Sequence, residues 1–343
     1  MEFHYRLPNA RTPDGFEAPA LRWGIIGPGW IAERFVASVQ KNTRQIIQAV
    51  AGSSLDKAYN FAQRYLIPVA YNSIEELVDD PAINVVYIST PHPTHFACAL
   101  NAIQAGKHVL VEKPMAINAD QVIKLQLAAR DNNVFLMEAM WSAFLPKFDV
   151  IRQIIEQGVI GEIHSVIADH GEFFEQDHRI MRPELAGGTL MDLGSYPVML
   201  ATKLLGAPEK VYASGQTAVT GVNGQAAIIL NHAGGNQSSL HTTLFSHTPG
   251  SAVIAGREGY LFLEGMFYAP GNFHLYNNDK QKITYEEPRY SYDSLYHQAA
   301  HLASCVAQGR VESPIHPIND TLLAMQTLDE VRRQLNINFE GLG

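Results

Sequence analysis

Two stretches of this chain gather residues that do chemistry. The first, Val109-Leu110-Val111-Glu112-Lys113-Pro114-Met115, delivers a carboxylate and an ammonium to the end of an apolar run, with a proline directly behind them. Such a run reads as a buried strand, and an open α/β sheet places its ligand beyond the carboxyl ends of its strands. Pro114 ends the pairing and fixes the backbone just after Lys113. The plain alternative is a strand end with a solvated ion pair. The second stretch, Gly187-Gly188-Thr189-Leu190-Met191-Asp192-Leu193-Gly194-Ser195-Tyr196-Pro197, sets Asp192 and Tyr196 four residues apart, so that on a helix they share one face. A tyrosine exchanges protons near neutral pH only when its pKa falls from about ten, and an ammonium such as Lys113 would lower it by stabilising the phenolate. The competing reading makes Asp192 an N-cap and Tyr196 a packing residue. The paired glycines ahead of them predict backbone that approaches something closely.

A nucleotide-binding signature stands further upstream. Leu21 to Ile26 reads as a short apolar strand running into Gly27-Pro28-Gly29-Trp30-Ile31-Ala32, after which Phe35, Val36 and Val39 mark a helix face. In this G-x-G-x-x-A pattern Gly27 permits a tight turn, Gly29 lets backbone approach a pyrophosphate, and Ala32 allows the helix to pack on the strand. Trp30 and Ile31 open the helix whose positive end meets the phosphates. The pattern follows a strand and opens a helix, which is the context it needs. The second strand, Ile46 to Ala51, ends at Gly52-Ser53-Ser54, where an NAD-selective site offers an acid to the ribose hydroxyls. None stands there. Ser53, Ser54 and Lys57 suit a 2′-phosphate through hydroxyls and positive charge, while the serines also suit a helix cap; the two roles are compatible. Thr90-Pro91-His92-Pro93-Thr94-His95 follows the fourth strand. With two prolines and no third ligand nearby, His92 and His95 read as part of a cofactor-lining loop, and no metal is expected.

The elements that must position these residues follow from the pattern. Strands at Val69 to Tyr71, Val85 to Ser89, His108 to Glu112 and Val134 to Met137 alternate with helices opened near Ser73, Thr94 and Asn118. That alternation predicts an α/β fold, a doubly wound parallel sheet of Rossmann type, over residues 21–143. Beyond a helix from Pro146 to Gln157, consecutive strands between Ile163 and Tyr285 predict an α+β domain with a largely antiparallel open sheet over 144–343, partly covered by helices at Leu295 to Gln308 and Asp320 to Leu335. Residues 1–20, with Pro8, Pro13 and Pro19 and no apolar core, form an extension and not a signal peptide. The 34 acidic against 25 basic residues, net charge -9, argue against a nucleic-acid partner. No apolar run reaches about twenty residues, so no membrane span is expected. Two cysteines, Cys98 and Cys305, suit a reducing cytoplasm. The open second sheet needs a cover, which predicts a homo-oligomer, first of all a dimer.

Taken together, the glycine-rich turn after Leu21-Arg22-Trp23-Gly24-Ile25-Ile26, Glu112-Lys113-Pro114-Met115, Met137-Glu138-Ala139-Met140-Trp141, the Gly187 to Tyr196 stretch and Glu312-Ser313-Pro314 resemble the glucose-fructose oxidoreductase and inositol dehydrogenase (Gfo/Idh/MocA) family. The look is similar to its dimeric dihydrodiol dehydrogenases and NADP-dependent D-xylose dehydrogenases. The resemblance implies an NADP-preferring enzyme, with NAD as second choice, that moves hydride between nicotinamide and a hydroxyl-bearing carbon of a sugar, cyclic polyol or vicinal diol. It implies that Lys113 touches nicotinamide ribose and substrate hydroxyl, that Tyr196 is the acid/base where inositol dehydrogenases carry histidine, that Asp192 binds or orients substrate, and that Trp141 lines the nicotinamide and substrate pocket beside Glu112. Relatives often carry arginine in a Trp-Thr-Arg-Phe pattern, whereas this chain reads Trp141-Ser142-Ala143-Phe144. The alternatives are a sugar 3-dehydrogenase, a hydrolase or eliminase with transient oxidation, and a nucleotide-sensing regulator without catalysis.

Overall fold

The computed structural model describes residues 5–288, 292–339 and 341–342. The chain divides into two compact units, each discontinuous in sequence. The first takes Thr12–Phe144 together with Tyr290–Thr321. Its strands β1 (Arg22–Ile26), β2 (Ile46–Ala51), β3 (Val69–Tyr71), β4 (Val85–Ile88), β5 (His108–Glu112) and β6 (Leu136–Ala139) alternate with α1 (Trp30–Asn42), α2 (Leu55–Tyr65), α3 (Ile74–Asp79), α4 (His95–Gln104) and α5 (Ala119–Asp131). All pairings are parallel, in the order β3-β2-β1-β4-β5-β6. Strand order reverses between β1 and β4, which opens a crevice beyond their carboxyl ends. Every residue of β4 is buried, as the unbroken Val85-Val86-Tyr87-Ile88 run requires of a central strand. Ser54, Ser73 and Asn118 cap α2, α3 and α5 by accepting from Lys57 N, Glu76 N and Gln121 N.

The second unit takes Met1–Arg11, Leu145–Arg289 and Leu322–Leu342. It holds α6 (Pro146–Glu156), β7 (Ile163–Gly171), α7 (Ser195–Leu205), β8 (Pro208–Thr217), β9 (Asn223–His232), β10 (Gln237–Thr243), β11 (Ala252–Gly256), β12 (Gly259–Leu263), β13 (Phe273–Asn277) and β14 (Lys282–Tyr285). The sheet order is β14-β13-β12-β11-β7-β10-β9-β8. Its pairings are antiparallel except β7 with β10, which is parallel, so the sheet is mixed. Val166, Ala168 and His170 of β7 point to the buried face, with Ile167 on the other.

Late in the chain come α8 (Tyr296–Ala307) and α9 (Ile318–Gln334). The sequence places both on the second domain. Instead α8 folds with the first unit, where Ala300 and Ala303 are buried with Ala18 of the extension. Small residues on that face let the segments approach closely. From α9, the Gln334 side chain exchanges hydrogen bonds with the second unit's β8, donating to Val211 O at 2.7 Å and accepting from Ala213 N at 2.9 Å. Asn9 and Arg11 of the extension bond to α6. Arg11 N donates to Asp149 Oδ2 at 2.7 Å, Arg11 Nη2 reaches Oδ1 at 3.0 Å, and Gln153 Nε2 donates to Asn9 O.

Candidate active site

In the first unit the glycine-rich turn is closed by its own backbone. Gly27 N donates to Ala51 O at 2.9 Å, and Gly27 has φ +90°, a conformation that favours glycine. A Cβ there would also stand 2.9 Å from Thr90 N. Gly29 occupies the N-cap of α1, where no side chain satisfies the first amides, and a Cβ on it would meet nothing within 4 Å. Free amides at a positive helix end, facing open space, fit a pyrophosphate. At the end of β2, Ser54 caps α2, while Lys57 Nζ donates to Ser53 Oγ at 3.2 Å in the exposed position that a ribose phosphate would take. Of the two serines, Ser54 is the helix cap and Ser53 is paired with Lys57.

The Lys113 loop is held from three sides. Tyr87 OH donates to Glu112 Oε1 at 2.5 Å, and Lys113 N donates to Glu112 Oε2 at 3.2 Å. The Lys113–Pro114 peptide is cis. Met115 N donates to Glu138 Oε1 at 2.9 Å, and the other oxygen of Glu138 accepts from His316 Nε2 at 2.9 Å and Thr321 Oγ1 at 3.0 Å. His95, fully buried, sets its ring nitrogens 2.9 Å from Pro114 O and 2.8 Å from Thr90 O, so it ties the loop after β5 to the loop after β4. His92 lies against it, the rings 5.7 Å apart. Trp141 opens a 3-10 turn, Trp141–Phe144, and is buried.

Burial pushes the Glu112 carboxyl up to about 7, against the Tyr87 hydrogen bond and the Lys113 charge, which pull it down. A carboxyl raised in the folded state binds its proton more tightly there than in the unfolded chain. Its contribution is therefore full at low pH and is lost as pH rises from the unfolded value toward about 7. Replacing Glu112→Gln is expected to flatten the fall in unfolding free energy between pH 5 and pH 8 by an amount of order 3 kcal/mol. Glu287, also raised to about 7 by burial, leaves a residual slope. Denaturant titrations at the two pH values measure it, and an unchanged slope would show Glu112 ionised throughout.

In the second unit, Asp192 and Tyr196 are both buried, but not on one regular helix. Asp192 lies in a π turn, Leu190–Gly194, that precedes α7, and Tyr196 is in the first turn of α7. The wider turn changes the face relation that spacing four implies. The glycines before them serve the chain itself. A Cβ on Gly187 would stand 2.4 Å from Ile180 O, and Gly188 has φ +113° and donates to Ile180 O at 2.7 Å.

Four residues that the sequence did not single out surround the pair. Arg179 Nη2 donates to Asp192 Oδ1 at 3.2 Å, with side-chain exposures of 57% and 8%, so a half-open cation faces a buried carboxylate. The Tyr196 ring stacks on Tyr268 at 4.3 Å and 19°, and Tyr268 in turn lies 4.3 Å from the His170 ring. His170 Nε2 and Tyr268 OH both meet Glu172 Oε1, at 2.9 and 3.1 Å, and His170 Nδ1 faces Leu193 O at 3.2 Å. Glu172 is held below the usual carboxylate range, chiefly by the His170 hydrogen bond. His170 and Glu172 had a local signal, since β7 ends in Asp169-His170-Gly171 with Glu172 directly after it; Arg179 and Tyr268 had none. Each unit thus carries a polar constellation of its own: the dinucleotide turn with Lys113 in one, Asp192 and Tyr196 in the other.

Comparison with known proteins agrees with this architecture. Residues 21–140 match the profile of an oxidoreductase family with an NAD-binding Rossmann fold, and residues 148–262 match the GFO/IDH/MocA C-terminal domain. The chain belongs to the GFO/IDH/MocA oxidoreductase family. Among its relatives, the trans-1,2-dihydrobenzene-1,2-diol dehydrogenase of Mus musculus is 35% identical over 330 residues, covering 93% of this chain and 98% of that protein. The Homo sapiens enzyme of the same name is 32% identical over 329 residues, with the same coverage. In fold the chain is similar to a 3-ketoreductase from Actinomadura kijaniata solved with NADP and TDP-benzene, at TM-score 0.80, 24% identity and coverage of 92% and 98%. It is also similar to a levoglucosan dehydrogenase solved with NADH and levoglucosan, at TM-score 0.83, 20% identity and coverage of 93% and 98%. As in the family, the dinucleotide belongs to the Rossmann unit. No helix among the described residues is long and apolar enough to cross a membrane.

Proposed function

We propose that this family member is an NADP-preferring dehydrogenase or reductase acting on a hydroxyl-bearing carbon of a vicinal diol, cyclic polyol or sugar. The observation that carries the diol reading is the 35% identity over 93% of the chain to a dihydrodiol dehydrogenase. The cofactor reading rests on the acid-free end of β2, where Lys57 reaches Ser53. The dinucleotide, when bound, supplies the hydride acceptor or donor. The chain supplies the rest: Lys113 hydrogen-bonds the reacting hydroxyl and stabilises its developing alkoxide, Tyr196 takes the hydroxyl proton in oxidation and returns it in reduction, and Asp192, held by Arg179, orients the substrate.

The test is NADP and NAD reduction measured against trans-dihydrodiols, cyclic polyols and aldoses, in the parent and in Ser53→Asp. The parent should favour NADP, and the aspartate should repel its 2′-phosphate, weakening NADP roughly ten- to a hundredfold while sparing NAD. A parent that binds NAD more tightly than NADP, or product turnover with no net change in either cofactor, would overturn the reading.

Assembly as a dimer belongs to the same reading. On the outer face of the second unit's sheet, register aligns Phe262 with Val253, Val253 with Ile167, and Ile229 with Tyr212. Ile167, Ile229 and Tyr212 are exposed. Ser239 of β10 stands between Ile167 and Ile229, and the apolar residues on either side of it favour a second copy as cover. Light scattering at micromolar concentration should return about twice the chain mass of 37.9 kDa; a stable monomer would refute it.

A further inference from the structure

An aromatic residue from the last third of the chain stands between two residues of the dinucleotide turn's surroundings. Tyr292 meets the Trp30 ring edge to face at 4.9 Å and faces the Trp141 ring at 6.0 Å, with planes 23° apart. Trp30 directly follows Gly29 and is 54% exposed despite its size. The guanidinium of Arg34, one turn further along α1, lies 5.6 Å from the Trp30 ring and 5.9 Å from the Tyr292 ring. The segment that carries Tyr292 is fastened to α1. Ser38 Oγ donates to Asp293 O at 2.7 Å, Lys41 Nζ pairs with Asp293 Oδ2 at 2.6 Å, Asn42 Nδ2 donates to Asp293 O at 3.3 Å, and Tyr296 N donates to Ser38 Oγ at 3.0 Å. Ser38 is buried, so its hydroxyl is committed to this attachment. Four bonds to one helix hold the ring beside the phosphate-binding turn.

We propose that Tyr292 is a dinucleotide-binding residue, its ring forming with Trp30 and Trp141 an aromatic wall along the pyrophosphate and nicotinamide half of the cofactor, and that Ser38 and Asp293 are the positioning residues that hold it there. The adenosine half lies instead toward Ser53 at the end of β2 and makes no use of this wall. Aromatic faces bind flat heterocycles and cover the phosphates from water, and Arg34 adds positive charge on the same side. The inference needs only a bound dinucleotide and holds whichever substrate is turned over.

Calorimetric titration of the full chain with NADP and with NAD, supported by tryptophan quenching with the reduced forms, tests it. Tyr292→Ala should raise the dissociation constant of whichever dinucleotide binds by about tenfold, and Tyr292→Phe, which keeps the ring, should restore it to within about threefold of the parent. The adenosine fragments 2′,5′-ADP and 5′-AMP, which lack the pyrophosphate, should bind the alanine variant as they bind the parent. If Tyr292→Ala fails to fold, Tyr292→Leu keeps bulk without an aromatic face and is read in the same way. Parental affinity for both dinucleotides in the alanine or leucine variant would overturn the proposal. So would an equal loss for the fragments, since the ring would then be supporting the fold and not the ligand.

Discussion

Lys113→Met is expected to reduce turnover by about 10³-fold or more, a larger loss than at any other position considered. Methionine keeps much of the length and apolar stem of the lysine and deletes only the charge. Two things go with that charge in the proposed reaction: the hydrogen bond to the reacting hydroxyl and the stabilisation of its alkoxide. The loop itself should survive, because Glu112, His95 and Glu138 hold it through the backbone atoms of Lys113, Pro114 and Met115, which methionine keeps. Stopped-flow rates at saturating cofactor, with a melting temperature near the parent's, are the measurement. Retention of more than a tenth of the parental rate would remove Lys113 from the chemistry.

Tyr196→Phe should lower turnover by about 10² to 10⁴ while leaving dinucleotide affinity nearly unchanged. Phenylalanine preserves the stack on Tyr268 and removes the hydroxyl alone. The pH profile separates proton transfer from packing. In the parent, oxidation should gain rate as pH rises, because the proposed base is the phenolate. Loss of that limb in Tyr196→Phe assigns it to the tyrosine. A limb that persists with substantial turnover would make Lys113 the proton carrier and Tyr196 a substrate-positioning group.

The first unit was legible because its information is local. The glycine turn, the cap serines and the apolar central strands each declare themselves within a few residues, and the structure places α2, α3 and α5 on the expected caps. What the sequence concealed is set by partners far away. Strand β6 runs to Ala139, past the expected Met137, because the charge of Glu138 is buried against His316. Strands β13 and β14, which flank Asn277-Asn278-Asp279-Lys280, form through the pairing of β13 with β12 and of β14 with β13. The parallel joining of β7 to β10 spans more than sixty residues and leaves no periodic trace. Lys113, Asp192 and Tyr196 were singled out by residue type and spacing, whereas Arg179, Tyr268 and Tyr292 owe their positions to tertiary packing alone.

The carboxylate of Glu138 carries a consequence for synthesis. Its partners His316 and Thr321 follow it by 178 and 183 residues. A ribosome adding about 5 to 20 residues per second takes roughly ten to thirty-five seconds to cover that interval. Throughout it, the acid that anchors Met115 lacks both side-chain donors that balance its burial, although every strand of the Rossmann sheet has been made. The nascent Rossmann unit therefore emerges with its strands complete and its lysine loop held by Glu112 and His95, while the donors that balance the third support, Glu138, arrive only with the last few dozen residues of the chain.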